Sequence, residues 1–353
     1  MTPDFEPVRE AFRELVASGR EIGAGLSIWH GGREVVCLSG GTKNAAAEPW
    51  ADDTLVHTYS TGKPMAAFTA LIAVARGQLS LDEPLATAWP AYGAQGKGGT
   101  TLRQVLSHTA GQPSFPESAK GLDLLDAEGL IRTLEESAPT TEPGSTICEH
   151  ALTYGHLIEG ALEAADAGTV SSLLRQIADE AGWDLHFGVP EGDLSRVADL
   201  EYLNPEWPSA TQNPLLAYPA GTRDVGILNS TRWRRGSFPA IGLHASASGL
   251  AKFYWQLTRP DGPVAHTIGP ELLREYTAVQ ASGLDHYLGH DVEWTLGFQI
   301  DEGDIVMGGV GGSGAWYSPE LDYSMAYVTR GLGDHERSIE VWHTVVECLS
   351  GDR

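Results

Sequence analysis

Basic side chains are scarce: the 353-residue chain has 23 lysines and arginines against 47 aspartates and glutamates, a formal charge of −24. Such a surface repels phosphate backbones and anionic head groups, and no Lys/Arg run offers a local exception, which argues against nucleic acid and membranes as partners. The plain reading of the acidity is solubility rather than steering of a cationic substrate. Cysteine is scarcer still. Cys37, Cys148 and Cys348 are an odd set without metal-ligand spacing, which argues against a disulfide framework and for a cytoplasmic setting. No stretch approaches the roughly eighteen apolar residues that span a bilayer. The first twenty residues lack the basic flank and apolar run of a leader, and Phe5, Val8, Phe12, Leu15 and Val16 instead recur at helical spacing.

What is present is globular: 42% apolar residues, and 42 glycines for tight turns and close backbone approaches. After the first helix, Gly23 to Ser39 reads as a β-hairpin turning at Gly31-Gly32. Lys63 to Arg76 reads as an apolar helix ended by Gly77. Short helical segments follow at 101–108, 154–165, 170–181 and 246–257. Strand patterns return at 295–300, 304–307, 314–317 and 323–329, before a helix over 336–349. The expected fold class is α+β: an antiparallel sheet flanked by terminal helices, formed by residues 1–78 and 281–353, with a mostly helical lobe over 79–280 inserted and a cleft between them. A monomer or homodimer is the base expectation.

Ser60-Thr61-Gly62-Lys63 puts a hydroxyl and an ammonium one turn apart on one face of an opening helix. A serine hydroxyl is a weak nucleophile until a neighbour takes its proton, and lysine does so only when burial or nearby positive potential lowers its pKa. The apolar helix supplies burial, and the positive end of its dipole disfavours the protonated amine.

The motif stands among others. Thr58-Tyr59-Ser60-Thr61-Gly62-Lys63-Pro64, then Gly77-Gln78-Leu79-Ser80-Leu81-Asp82-Glu83-Pro84, then Thr101-Leu102-Arg103-Gln104-Val105-Leu106-Ser107-His108-Thr109-Ala110-Gly111 run in order along the chain. Pro143-Gly144-Ser145, His150 to Gly155, Ala247 to Ala251 and Gly311-Gly312-Ser313 with Pro319 follow. Together they resemble the serine β-lactamase and penicillin-binding-protein superfamily, in its class C β-lactamase-like esterase and acyltransferase branch. The resemblance implies a β-lactamase/transpeptidase-like fold and an acyl-serine intermediate on Ser60, with Lys63 as its basic partner and the Ser60 and Val310 amides as oxyanion hole. No metal or cofactor is implied; the expected partners are a small-molecule acyl donor and water or another nucleophilic acceptor.

Two positions depart from the family pattern. Where relatives have a tyrosine that assists proton transfer, this chain has Glu149, a carboxylate that can pair with Lys63 or act as general base. Otherwise Tyr154 or His150, which are also expected to line the substrate site, could serve. The third motif, K-T-G or H-x-G in relatives, falls on Met307-Gly308-Gly309, expected along with Trp316 to contact substrate. The cation is missing there, which argues against penicillin-like anions as natural substrates.

Rival local patterns are weaker. Gly309 to Gly314 matches a dinucleotide fingerprint and Gly311 to Ala315 a nucleophile elbow, but Trp316-Tyr317 continues as strand rather than helix. His286 and His290 lie in a glycine-bearing loop, short of a convergent metal set. His57 reads as a packed histidine. The function expected is serine-dependent acyl transfer, to water or another acceptor, on an ester, thioester or amide. The alternatives are a biosynthetic cyclisation or acid/base reaction using Glu149, and a non-catalytic binding protein.

Overall fold

The computed structural model describes residues 3–210 and 213–351. Its frame is one eight-stranded antiparallel sheet joining the two ends of the chain. The hairpin β1 (Gly23–His30) and β2 (Arg33–Gly41) is followed much later by β3 (Ala281–Asp285), β4 (His290–Trp294), β5 (Gln299–Asp301), β6 (Asp304–Gly308), β7 (Gly314–Ser318) and β8 (Tyr323–Thr329). The spatial order is β2-β1-β8-β7-β6-β5-β4-β3. β1 pairs with β8 from Ala24 opposite Thr329 to His30 opposite Tyr323, so strands from the two ends of the chain lie side by side. Both are buried over most of their length, as apolar residues on both faces require.

The outer face is covered by helices α1 (Glu6–Ala17) and α7 (Glu336–Ser350). Phe12, Leu15, Val341 and Val345 pack there on Leu26, Ile28, Met325 and Tyr327. A buried ion pair locks the ends: Arg337 meets Glu21 at 2.6 Å, and Glu21 also accepts hydrogen bonds from Tyr327 and Thr329.

Behind the inner face stand α2 (Lys63–Ala75), α3 (Thr153–Ala164), α4 (Val170–Ala181), α5 (Ala247–Leu257) and α6 (Pro263–Thr277). α2 is apolar all round and buried from Lys63 to Ala73, so it needs neighbours on every side; α3, α4 and α6 provide them. Two assignments of the sequence reading shift as a result. α2 packs within the helical layer rather than in the sheet lobe, while α5 lies directly on β1, β7 and β8 rather than among the inserted helices. The reason is physical: a helix without a polar face cannot stay at a layer's edge. The stretch from Ala281 to Trp294, not anticipated as strand, forms the β3–β4 hairpin, its alternation obscured by exposed polar and glycine positions.

Candidate active site

The nucleophile turn is built under strain. Tyr59 adopts φ 52°, ψ −128°, a left-handed φ that a bulky side chain avoids, and a single 3₁₀ turn over Ser60–Gly62 then feeds α2. Gly62 is required by proximity: a Cβ there would sit 2.7 Å from Leu243 Cβ and 3.0 Å from the Phe187 ring. Pro64 in the first turn of α2 needs no amide partner, so the helix starts at once.

Lys63 is fully buried, and its Nζ lies 2.6 Å from Ser60 Oγ and 3.0 Å from Glu149 Oε1. Burial lowers its pKa, while the charge and hydrogen bond of Glu149 oppose that shift. Hydroxyl, amine and carboxylate thus form a continuous three-member relay, with Ser60 and Glu149 both on the wall of a cavity of about 300 Å³.

Glu149 is held by its backbone. Its N–H donates to Asp285 Oδ1 at 3.1 Å; the same oxygen accepts the N–H of Tyr287 at 2.8 Å and of Leu288 at 3.1 Å, and Oδ2 accepts Trp294 Nε1 at 3.0 Å. His286 N–H completes the latch on Ile147 O. Asp285 is wholly buried and satisfied by four neutral donors, which fasten the tip of the β3–β4 hairpin to the segment carrying Glu149.

The opposite wall is the end of β6. Gly309 presses on the nucleophile turn so closely that a Cβ would lie 2.0 Å from Thr58 O and 3.4 Å from Ser60 N. Met307, Gly308, Gly309 and Val310 line the same cavity as Ser60. This approach brings Ser60 and Val310 to the wall of one cavity.

Three expected substrate contacts lie elsewhere. Tyr154 is fully buried, donates its hydroxyl to Leu106 O at 3.3 Å and is held far above the usual phenol range by burial. His150 is likewise buried, with Nδ1 against Cys148 O and Nε2 accepting the Gln112 N–H. Burial brings its imidazole down to about 4, so it is neutral at pH 7. Neither lines the cavity. Both were drawn to the site by adjacency in sequence to Glu149, but the segment turns into α3 and carries them into the core. Trp316 lines a neighbouring cavity instead, because alternation on β7 points it to the sheet's other side. His57 packs against Tyr59, Trp233 and His244.

Other residues complete the wall without having been marked in the sequence. Tyr287 enters from the hairpin tip, its phenol pushed up by burial and then by Glu149. Arg223 enters from the loop after Gly221, and its guanidinium lies 5.9 Å over the Trp207 ring. The cation absent from 307–309 therefore does not leave the cavity without positive charge. His335, just before α7, stands over Gly308, its Cε1 3.4 Å from where a Cβ would be. Burial and then Arg337 hold that imidazole below its ordinary value. None of these three stands in a motif, so only the local turn chemistry around Gly289 could have flagged the hairpin tip.

Comparison with known proteins agrees in extent. The family model described as Beta-lactamase matches residues 8–347. The chain is 26% identical over 380 residues to the Esterase/beta-lactamase LipL of Mycobacterium tuberculosis, covering 99% of this chain and 88% of that protein. Among solved structures it resembles a novel penicillin-binding protein homolog from Caulobacter crescentus, with TM-score 0.84, 29% identity and coverage of 98% and 97%. A family VIII carboxylesterase superposes with TM-score 0.86 at 26% identity, covering 98% of each chain.

Proposed function

The chain belongs to the Beta-lactamase family and is a serine hydrolase of the β-lactamase-like superfamily, and we propose that it performs esterase-type acyl transfer through an acyl-Ser60 intermediate. The observation that carries this reading is the buried contact of Lys63 Nζ with Ser60 Oγ at 2.6 Å, backed by Glu149 at 3.0 Å. Burial makes the neutral amine of Lys63 available against the pull of Glu149, and that amine takes the proton of Ser60 as Oγ attacks the carbonyl carbon. The Ser60 and Val310 N–H groups hold the oxyanion. Collapse of that adduct breaks the bond to the leaving group, which departs with the proton from Lys63. Water or another nucleophile then repeats the sequence on the acyl-enzyme and frees Ser60. Replacing the family tyrosine by a carboxylate suits an acyl-enzyme that turns over slowly and admits acceptors other than water.

Intact-protein mass spectrometry after brief exposure to activated esters, acyl thioesters and a β-lactam tests the reading. The expected result is an acyl adduct present in the wild type, absent in Ser60→Ala and altered in lifetime by Glu149→Gln. Product formation undiminished in Ser60→Ala would overturn it.

A further inference from the structure

A second cavity, of about 250 Å³, adjoins the catalytic one and shares Met307, Gly308 and His335 with its wall. Its floor is a corner of two indoles. Trp316 on β7 and Trp342 on α7 have ring centroids 6.4 Å apart and planes at 88°. Both indole N–H groups donate to the Tyr323 hydroxyl, at 3.2 and 2.9 Å, so their polar atoms are already satisfied. Apolar ring surface remains for a ligand, extended by the exposed side chain of Ile339.

Paired glycines stand where the two cavities adjoin. Gly308 and Gly314 face each other across β6 and β7. A Cβ on Gly308 would come 3.4 Å from His335 Cε1, and one on Gly314 would come 3.4 Å from Trp316 Cζ3. Side chains at either place would crowd the space beside His335 and the indole corner.

The rim is acidic. Asp301, Glu302 and Asp304 line it, none has a cationic partner among the described residues, and no lysine or arginine lines this cavity. Burial pushes the Asp304 carboxyl up against a hydrogen bond from Ser318, and the charges of Asp301, Glu320 and Glu302 add to the rise.

We propose that this second chamber binds a substituted ammonium group on one arm of the substrate, with the scissile carbonyl at Ser60 and the arm crossing Gly308 beneath His335. An alkylated ammonium matches both features. Its carbon substituents bury against the indoles, its charge is drawn to the ring faces, and the rim carboxylates balance it without leaving water. A neutral alkyl arm satisfies only the first of these and a carboxylate arm neither. The placement of the carbonyl rests on the acyl-Ser60 reading; the chamber's choice of cation does not.

Two measurements separate them. The Ser60→Ala protein, which cannot turn over by the proposed route, is titrated calorimetrically with benzyltrimethylammonium and with its neutral carbon isostere, neopentylbenzene. The cation is expected to bind at least about tenfold more tightly, with the difference lost in Trp342→Ala and in the combined Asp301→Asn, Glu302→Gln, Asp304→Asn variant. Equal affinity, or binding unchanged in both variants, overturns the proposal. Kinetics on two isosteric pairs then locate the arm: choline butyrate against 3,3-dimethylbutyl butyrate, and p-nitrophenyl 4-(trimethylammonio)butyrate against p-nitrophenyl 5,5-dimethylhexanoate. The charged member is expected to lead in kcat/KM by about tenfold or more in at least one pair. Ser60-dependent hydrolysis without that preference in either pair overturns the chamber's role and leaves the nucleophile standing. Hydrolysis indifferent to Ser60 overturns the acyl-Ser60 reading instead.

Discussion

Lys63 sits between a hydroxyl at 2.6 Å and a carboxylate at 3.0 Å, and the two neighbours ask opposite things of it. Burial favours the neutral amine that can take the serine proton, whereas Glu149 favours the ammonium. The sign of one substitution follows. In Glu149→Gln the opposing charge is gone, so Lys63 loses its proton at lower pH, and the acid limb of the kcat/KM profile is expected to move down by about one unit or more. A limb unchanged in position, with activity lower by more than about a hundredfold, would instead identify Glu149 as the obligatory proton acceptor. At this scale Ser60, Lys63 and Glu149 were legible in the sequence, because register within a motif survives folding. Tyr287, Arg223 and His335 were not, since each reaches the cavity from a segment whose place is set by packing.

Two elements set the geometry of that relay, and each offers a test. The β3–β4 hairpin is latched to Glu149 through the buried carboxylate of Asp285, which accepts from three backbone amides and one indole. In Asp285→Asn one acceptor becomes a donor facing donors, so kcat is expected to fall at least about tenfold, roughly 1.4 kcal/mol of barrier, with KM changed less than about threefold. An equal loss in kcat/KM arising wholly from KM would show that the latch shapes binding and not the relay. The end of β6 is the second element. A methyl group at position 309 would meet Thr58 O at 2.0 Å, so Gly309→Ala must separate strand from nucleophile turn. Activity is expected to drop by about a hundredfold or more, the scale of losing one oxyanion donor, while Gly192→Ala, at an exposed position where nothing lies within 4 Å and φ is not positive, serves as a control. Comparable losses in both variants would refute the close-approach argument.

The whole molecule carries a set of histidines that must stay neutral. His57, His108, His150, His156 and His244 are all buried and held below the ordinary value first by desolvation, His150 and His156 to about 4 and His244 to about 3. In the unfolded chain each titrates near ~6.5. Between those values the unfolded state binds more protons, so stability is full above about pH 7 and falls as pH drops from about 6.5 toward 4, by up to ~1.4 kcal/mol per unit for each histidine. Thermal midpoints measured at pH 7.5, 6 and 5 are expected to decline steeply over the last interval; a flat profile to pH 5 would contradict it. At this scale the two ends of the chain are held together by β1 on β8 and by the buried Glu21–Arg337 pair, so the sheet whose β6 leads to Gly309 draws strands from both.

Read alone, the chain determined the family, the α+β class and the pairing of Lys63 with Ser60. Periodicity places α4 at Val170–Ala181 and the S-x-x-K spacing places a lysine one turn from a serine, both consequences of local backbone geometry. Local signals also misled: Tyr154 and His150 share a motif with Glu149, yet the helix they begin turns them into the core. Tertiary structure alone decided what surrounds the relay. Asp285 meets Glu149 across 136 residues, and His335 reaches Gly308 from the start of the last helix. Contacts of that separation are chosen by which apolar faces must be buried together, and a sequence records those faces without recording which of them will meet.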